Sequence, residues 1–172
     1  EEIINGQYNY GDIRVAKLDF DEWYSVTSDP DFEPGTVAFA YQPNPYWETA
    51  GDLFMPSEYS DLEYWQFVAL HEIGHTIALG HTHEDISIAD LSIDNISNSV
   101  MSYRGGQNSY EHIFVHPDYP QSLMPWDIEA VQFLYGPSNI NTGDDTYTYS
   151  SADYIWESIA DTDGNDTLNL SN

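Results

Sequence analysis

His71-Glu72-Ile73-Gly74-His75-Thr76-Ile77-Ala78-Leu79-Gly80-His81 places a metal-ligand set and a candidate base on one short stretch of chain. His71 and His75 stand four apart, so on a helix their imidazoles lie one turn apart on the same face and can share an ion. Glu72, beside the first of them, is placed as a general base for metal-activated water rather than as a ligand. His81 follows six residues after His75, far enough for the chain to leave the helix and turn back toward the ion. Three neutral imidazoles leave a tetrahedral position open, which separates a catalytic zinc site from a closed structural one. A helix carrying solvated histidines is the bland alternative, and a third histidine at this spacing argues against it.

Composition sets the surroundings. The 172 residues suffice for one domain with a real core, or one domain plus a fragment. Thirty acidic residues face only three basic ones (Arg14, Lys17 and Arg104), for a formal net charge of −27. Nothing can neutralise phosphates at that balance, so neither nucleic acid nor an anionic membrane is an expected partner. Such acidity suits salt-rich surroundings and the binding of divalent cations, although much of it reads simply as a solvated surface. There are no cysteines, hence no disulfides. No stretch approaches the length and apolarity of a transmembrane helix, and membrane insertion is not expected.

Around the histidines, Asp12–Leu18 alternates like a half-buried strand, Thr36–Tyr41 reads as a second, and Gly51–Met55 as a short third. Ser60-Asp61-Leu62-Glu63 has the form of a capping box, with Ser60 at the cap and Glu63 reaching back. Leu62, Trp65, Ala69, Ile73 and Ile77 then recur at spacings of three and four, which predicts a buried stripe beside the histidine face. A further helix is predicted from Pro125 to Tyr135. There Asp127 and Glu129 favour the positive end of the dipole, Ile128, Val131 and Leu134 form the stripe, and Gly136-Pro137 stops it. The long polar connections at 82–100 and 104–123 flank Val100-Met101-Ser102-Tyr103. A thioether is a poor match for zinc, so Met101 is expected to pack beneath the imidazoles. His112 and His116 also stand four apart, but Pro117 follows and no base is suitably placed, so they read as surface histidines.

The run from His71 to His81 resembles the metzincin signature HExxHxxGxxH, and Val100–Tyr103 resembles the Met-turn that floors the zinc site in those peptidases. The wording of both segments, HEIGH and SVMSY, is most similar to the serralysins, secreted bacterial zinc endopeptidases. Pro120-Gln121-Ser122-Leu123-Met124 and the segment from Asp127 to Gly136 are similar to the serralysin sequence that follows the Met-turn, and the likeness covers nearly the whole chain. The resemblance implies an α+β fold: a metzincin-like zinc peptidase domain with a twisted, mostly parallel sheet, an active-site helix and a C-terminal helix, followed by the first strands of a β-roll. It also implies zinc on His71, His75 and His81, Glu72 as base, and Tyr103 as a zinc ligand that swings away to stabilise the oxyanion. Ala38, Phe39, Ala40 and Tyr41 would form the edge strand that pairs with an extended protein or peptide substrate. One position departs from the signature: its glycine falls on Ala78, with a glycine two places later at Gly80. Either Ala78 adopts a left-handed conformation, or the helix runs on and Gly80 turns it, which would let His83 compete with His81.

Beyond Ser138 the composition changes. Thr142-Gly143-Asp144-Asp145-Thr146 and the run from Asp161 to Leu170 are Gly/Asp-rich turns with alternating residues after them. Gly164–Leu170 spells G-x-D-x-L-x-L, half of a calcium-binding β-roll repeat, in which carboxylates and carbonyls wrap a hard cation. Resemblance to the first calcium site of serralysins implies carbonyls from Asn141 and Gly143 and ligation by Asp145, Asp161, Asp163 and Asp166. The expected organisation is a catalytic domain over 1–138, lacking the family's N-terminal strand and helix, and a truncated start of the calcium-binding roll over 139–172. The missing N-terminal segment and the downstream roll of the same parent protein would then be partners. The function expected is secreted, Zn2+- and Ca2+-dependent endopeptidase activity in a bacterium. A catalytically inactive peptidase-like module of a calcium-dependent adhesin is the alternative, against which the intact Glu72 argues.

Overall fold

The computed structural model describes residues 3–4, 7–8, 13–27, 36–58, 61–84, 93–105, 119–150 and 155–171. Within these the chain runs β1 (Ile3–Ile4), β2 (Gln7–Tyr8), β3 (Val15–Leu18), α1 (Phe20–Thr27), β4 (Phe39–Ala40), β5 (Leu53–Pro56), α2 (Leu62–Thr76), α3 (Pro125–Tyr135), β6 (Thr146–Ser150) and β7 (Thr167–Ser171). Asp12, Ser60, His112 and His116 lie outside the described residues.

The three strands expected from alternation form one sheet in the order β3-β5-β4. It is mixed rather than mostly parallel: β3 runs parallel to β5, and β4 pairs antiparallel to it, Phe39 opposite Phe54. Arg14 ties the start of the sheet together, its guanidinium donating to both Asp52 carboxylate oxygens at 2.7 Å. The pleat of β5 sends Leu53 and Met55 into a buried cluster with Ala38 and Val68. Its other face carries Phe54, stacked on Phe39 at 4.7 Å, with Trp23 of α1 against Phe39. Helix α1 was not anticipated, yet its start is written locally: Glu22 N–H donates to Asp19 Oδ1, and Asp19 N–H donates to Glu22 Oε2, a reciprocal cap.

Helix α2 is packed on two sides. Val68 belongs to the sheet cluster, whereas Phe67 joins Leu79, Ile96, Val100, Met101, Tyr119 and Met124 in a second one. This geometry corrects the expected stripe. Leu62 and Ile73 are exposed, Trp65, Ala69 and Ile77 are partly buried, and the buried positions are Phe67, Val68, His71, Glu72, Gly74 and Thr76. A single-stripe reading assumes one packed face; a helix wedged between two clusters rotates its apolar width accordingly. The cap is corrected too: Asp61, not Ser60, is the N-cap, and its carboxylate accepts from Tyr64 N–H at 3.2 Å. Gly74 lets Met101 approach the helix backbone, since a Cβ there would lie 2.3 Å from Met101 Sδ.

Helix α3 keeps its expected bounds, but Leu134 is exposed, and Ala130 and Val131 make the packing contact with the second cluster. Beyond it, β6 and β7 pair in parallel, Thr146 opposite Thr167 through Ser150 opposite Ser171. The connection between them returns to the core: Trp156 packs on the second cluster, and Trp156 O accepts from Gln121 N–H at 2.8 Å.

The end of α2 settles the Ala78 alternatives. Ala78 has φ of 71°, Leu79 N–H donates to Gly74 O at 2.9 Å, and Ala78 N–H donates to His75 O at 3.0 Å. These are the two bonds of a Schellman turn, with an alanine in the left-handed position usually held by glycine. Left-handed alanine costs roughly 1–2 kcal/mol, and an added glycine gives back part of the relief as unfolded-chain entropy. Ala78→Gly is therefore expected to raise the unfolding free energy by about 1 kcal/mol, measured by urea denaturation. Gly80→Ala, whose Cβ would meet nothing within 4 Å, should not lower it.

Candidate metal centre

The same turn builds the site. Leu79 O, swung back by the turn, accepts from His75 Nδ1–H at 2.9 Å, and Val100 O accepts from His71 Nδ1–H at 2.8 Å. His81 Nδ1–H donates to Glu84 Oε1 at 2.7 Å. With every Nδ1 engaged as a donor, the three Nε2 atoms carry lone pairs, and these converge. His75 Nε2 and His71 Nε2 lie 3.0 and 3.2 Å from His81 Nε2. Lone pairs so close repel unless a cation lies among them, and this separation fits nitrogens about 2.0–2.1 Å from one tetrahedral zinc ion. His71, His75 and His81 can therefore hold a metal ion.

The protonation states agree. Burial, then the neighbouring His75, lowers the His71 pKa to about 3, and burial lowers that of His75. Both are neutral at pH 7, as a metal-ligating imidazole must be. Glu72 is buried beside them, with Oε2 lacking a hydrogen-bond partner. Burial pushes its carboxyl up to about 8, which a nearby cation would counteract. The Tyr103 hydroxyl donates to His81 Nε2 at 2.9 Å, so its oxygen stands at the edge of the same convergence point. Burial, ahead of the Glu72 charge, raises the Tyr103 pKa to about 12. His83 stacks on His81 and tilts against Tyr103, with centroids 5.1 and 4.8 Å away; it gathers with His81 and Glu84 rather than with the trio.

Met101 is 1 % exposed and lies against Gly74, between the two helical histidines in sequence. The turn that carries it hangs on Asp127. This buried carboxylate accepts from Ser99 Oγ–H at 2.6 Å, Val100 N–H at 2.8 Å and Met124 N–H at 2.9 Å. Burial pushes the Asp127 carboxyl upward, against the pull of those three bonds. Since Val100 O holds His71, α3 is coupled to the first histidine of the trio through one residue. The loops bearing His81 and Tyr103 meet at a second buried carboxylate: Asp94 accepts from Thr82 Oγ1–H at 2.5 Å and lies 3.4 Å from Arg104 Nε. Glu84, Asp94 and Asp127 were missed as site residues. Asp127 carries a visible signal, since it reads as a helix-start acid, but the acceptor role depends on contacts 27 and 28 residues away.

Of the expected calcium ligands, the carboxylates of Asp145, Asp161 and Asp166 gather within 4.8 Å of one another. Asp166 Oδ1 accepts from Asp145 N–H, and Tyr147 OH donates to Asp161 at 2.6 Å, which raises the Tyr147 pKa to about 12. Asn141 is left-handed, with φ of 50°, and Gly143 O lies where a Cβ on Gly164 would fall. The Asp163 carboxylate is not in the group; it accepts from Gly164 N–H. Phe39 and Ala40 form the terminal strand of the β3-β5-β4 sheet, flanked by Ala38 and Tyr41.

No family model matches the chain. It is 30% identical to metallopeptidase AprA of Pseudomonas marginalis over 81% of its length and 36% of that relative. It is also 30% identical to serralysin of Proteus mirabilis, over 95% of this chain and 39% of the relative. With serralysin C of Dickeya chrysanthemi the identity is 33%, over 68% and 27%. The chain thus spans between about a quarter and two fifths of the curated relatives it matches.

Asp127→Ala would leave two backbone N–H groups and a hydroxyl unsatisfied beneath the metal centre. The expected loss is about 3 kcal/mol or more of stability, read from the urea midpoint.

Proposed function

We propose that this chain carries the catalytic unit of a serralysin-type zinc endopeptidase. The observation that carries the reading is the convergence of three imidazole lone pairs beside a buried, unpartnered carboxylate oxygen. Likeness to proteins named serralysin and metallopeptidase supports it. Nitrogen-only donors favour zinc over a hard cation. Bound by His71, His75 and His81, zinc supplies Lewis acidity toward water and toward the scissile carbonyl.

The chain's own residues do the rest. Glu72 takes the proton of the attacking water at Oε2 and returns it to the departing amine. The Tyr103 hydroxyl, released from His81 Nε2, donates to the developing oxyanion. An extended peptide pairs along Ala38–Tyr41 by main-chain hydrogen bonding. Asp94 and Asp127 hold the two loops and so keep these groups in register.

We assign 1–138 to the catalytic unit and 139–172 to a calcium-binding, β-roll-like segment. Asp145, Asp161 and Asp166 offer carboxylate oxygens, Asn141 and Gly143 offer carbonyls, and the backbone of Asp163 lies in the same turn; oxygen donors of this kind suit Ca2+. The substrate is a protein or peptide, and the enzyme acts outside a bacterial cell. Among the described residues no helix is long and apolar enough to cross a membrane.

Casein hydrolysis, with and without a zinc chelator, tests the assignment. The chain is expected to hold one zinc and to lose cleavage on chelation. Glu72→Ala should retain zinc while cleavage falls by about 10²–10⁴-fold or more. Zinc binding without cleavage in the unaltered chain would favour the inactive binding module instead. Calcium should raise the melting temperature, and Asp161→Ala should abolish that rise.

A further inference from the structure

His81 differs from the other two imidazoles of the trio. His71 and His75 lie on α2 and donate to neutral backbone carbonyls, those of Val100 and Leu79. His81 lies beyond the left-handed Ala78, with no helix to orient it, and donates from Nδ1 to a carboxylate, Glu84 Oε1, at 2.7 Å. A charge-assisted bond is shorter and stronger than a neutral one. It fixes the proton on Nδ1, turns the Nε2 lone pair toward the convergence point and increases its electron density. The geometry points to Glu84 as a positioning residue for the metal ligand His81, replacing with a carboxylate the backbone acceptor that holds each of the other two. This inference rests on the metal-centre reading above.

Glu84 is suited to the test because its side chain is 64% exposed, so its removal opens no cavity. Zinc affinity is measured by competition with a chromophoric chelator in the full chain and in its Glu84→Gln and Glu84→Ala variants. Gln accepts the same hydrogen bond without the charge, whereas Ala removes both. The expected loss of affinity is about tenfold for Glu84→Gln and approaches about a hundredfold for Glu84→Ala. The visible spectrum of the cobalt-loaded Ala variant should change as His81 loosens, while the melting temperature of the metal-free chain stays the same. Equal affinities and spectra across the three proteins would overturn the inference and leave the metal centre standing. A parallel fall in metal-free melting temperature would overturn it by making Glu84 structural. Two zinc ions in the unaltered chain, reduced to one in the variants, would overturn it by making Glu84 a ligand together with His83. No zinc uptake by the unaltered chain would remove the metal-centre reading and this inference together.

Discussion

A single left-handed residue governs how this molecule is put together. Ala78 ends α2 in a turn whose two hydrogen bonds reach back to Gly74 and His75. The reversal buries Leu79 in the second cluster and aims its carbonyl at His75 Nδ1. It also sends His81 back over the helix to face His71 and His75. Packing, imidazole orientation and imidazole convergence all follow from one backbone conformation that costs alanine roughly 1–2 kcal/mol. Strain of this kind persists only where the surroundings over-determine it, and here the buried Leu79 contact does so.

The second organising fact is how so acidic a chain satisfies its carboxylates. With three basic residues available, ion pairing can serve few of them. Arg14 and Arg104 are spent on Asp52 and Asp94. Elsewhere carboxylates act as acceptors for N–H and O–H groups: Asp19 and Asp61 at helix starts, Asp127 under the turn that carries Met101, Glu84 on His81 and Asp166 in the C-terminal turns. A buried carboxylate with two or three such donors is well held without a counter-charge. Glu72 and Asp94 each bury one oxygen without a hydrogen bond, but that of Asp94 faces Arg104 at 3.4 Å. An unpartnered oxygen of that kind fits the base role proposed for Glu72.

The change of composition after Ser138 is less sharp in space than in sequence. β6 and β7 pair with each other in parallel, and Trp156, between them in sequence, packs on the same cluster as Ala130 and Val131 of α3. Ser158 N–H donates to Ser122 Oγ at 2.8 Å, and Ser158 Oγ lies 3.7 Å from Met124 Sδ. The last strands are thus anchored to the segment leading into α3, whose Asp127 also holds the turn that carries Met101.

Sequence alone determined the features set by local spacing. Two histidines four apart on a helix, a glutamate beside the first, two helices and three strands follow from periodicity and side-chain chemistry, because the interacting atoms are neighbours along the chain. Capping at Asp19 is of the same kind, since its two hydrogen bonds join residues three apart. Only the tertiary structure decided which residue turns α2 at its end, since alanine in a left-handed conformation is disfavoured locally and tolerated only in context. It also decided which sides of α2 are buried, because packing against two clusters cannot be seen in one helix's pattern. The supporting carboxylates were equally hidden: Asp127 and Asp94 act across 27 or 28 and 10 or 12 residues of chain. Their partners are assigned by how loops fold over the site, and no spacing rule encodes that.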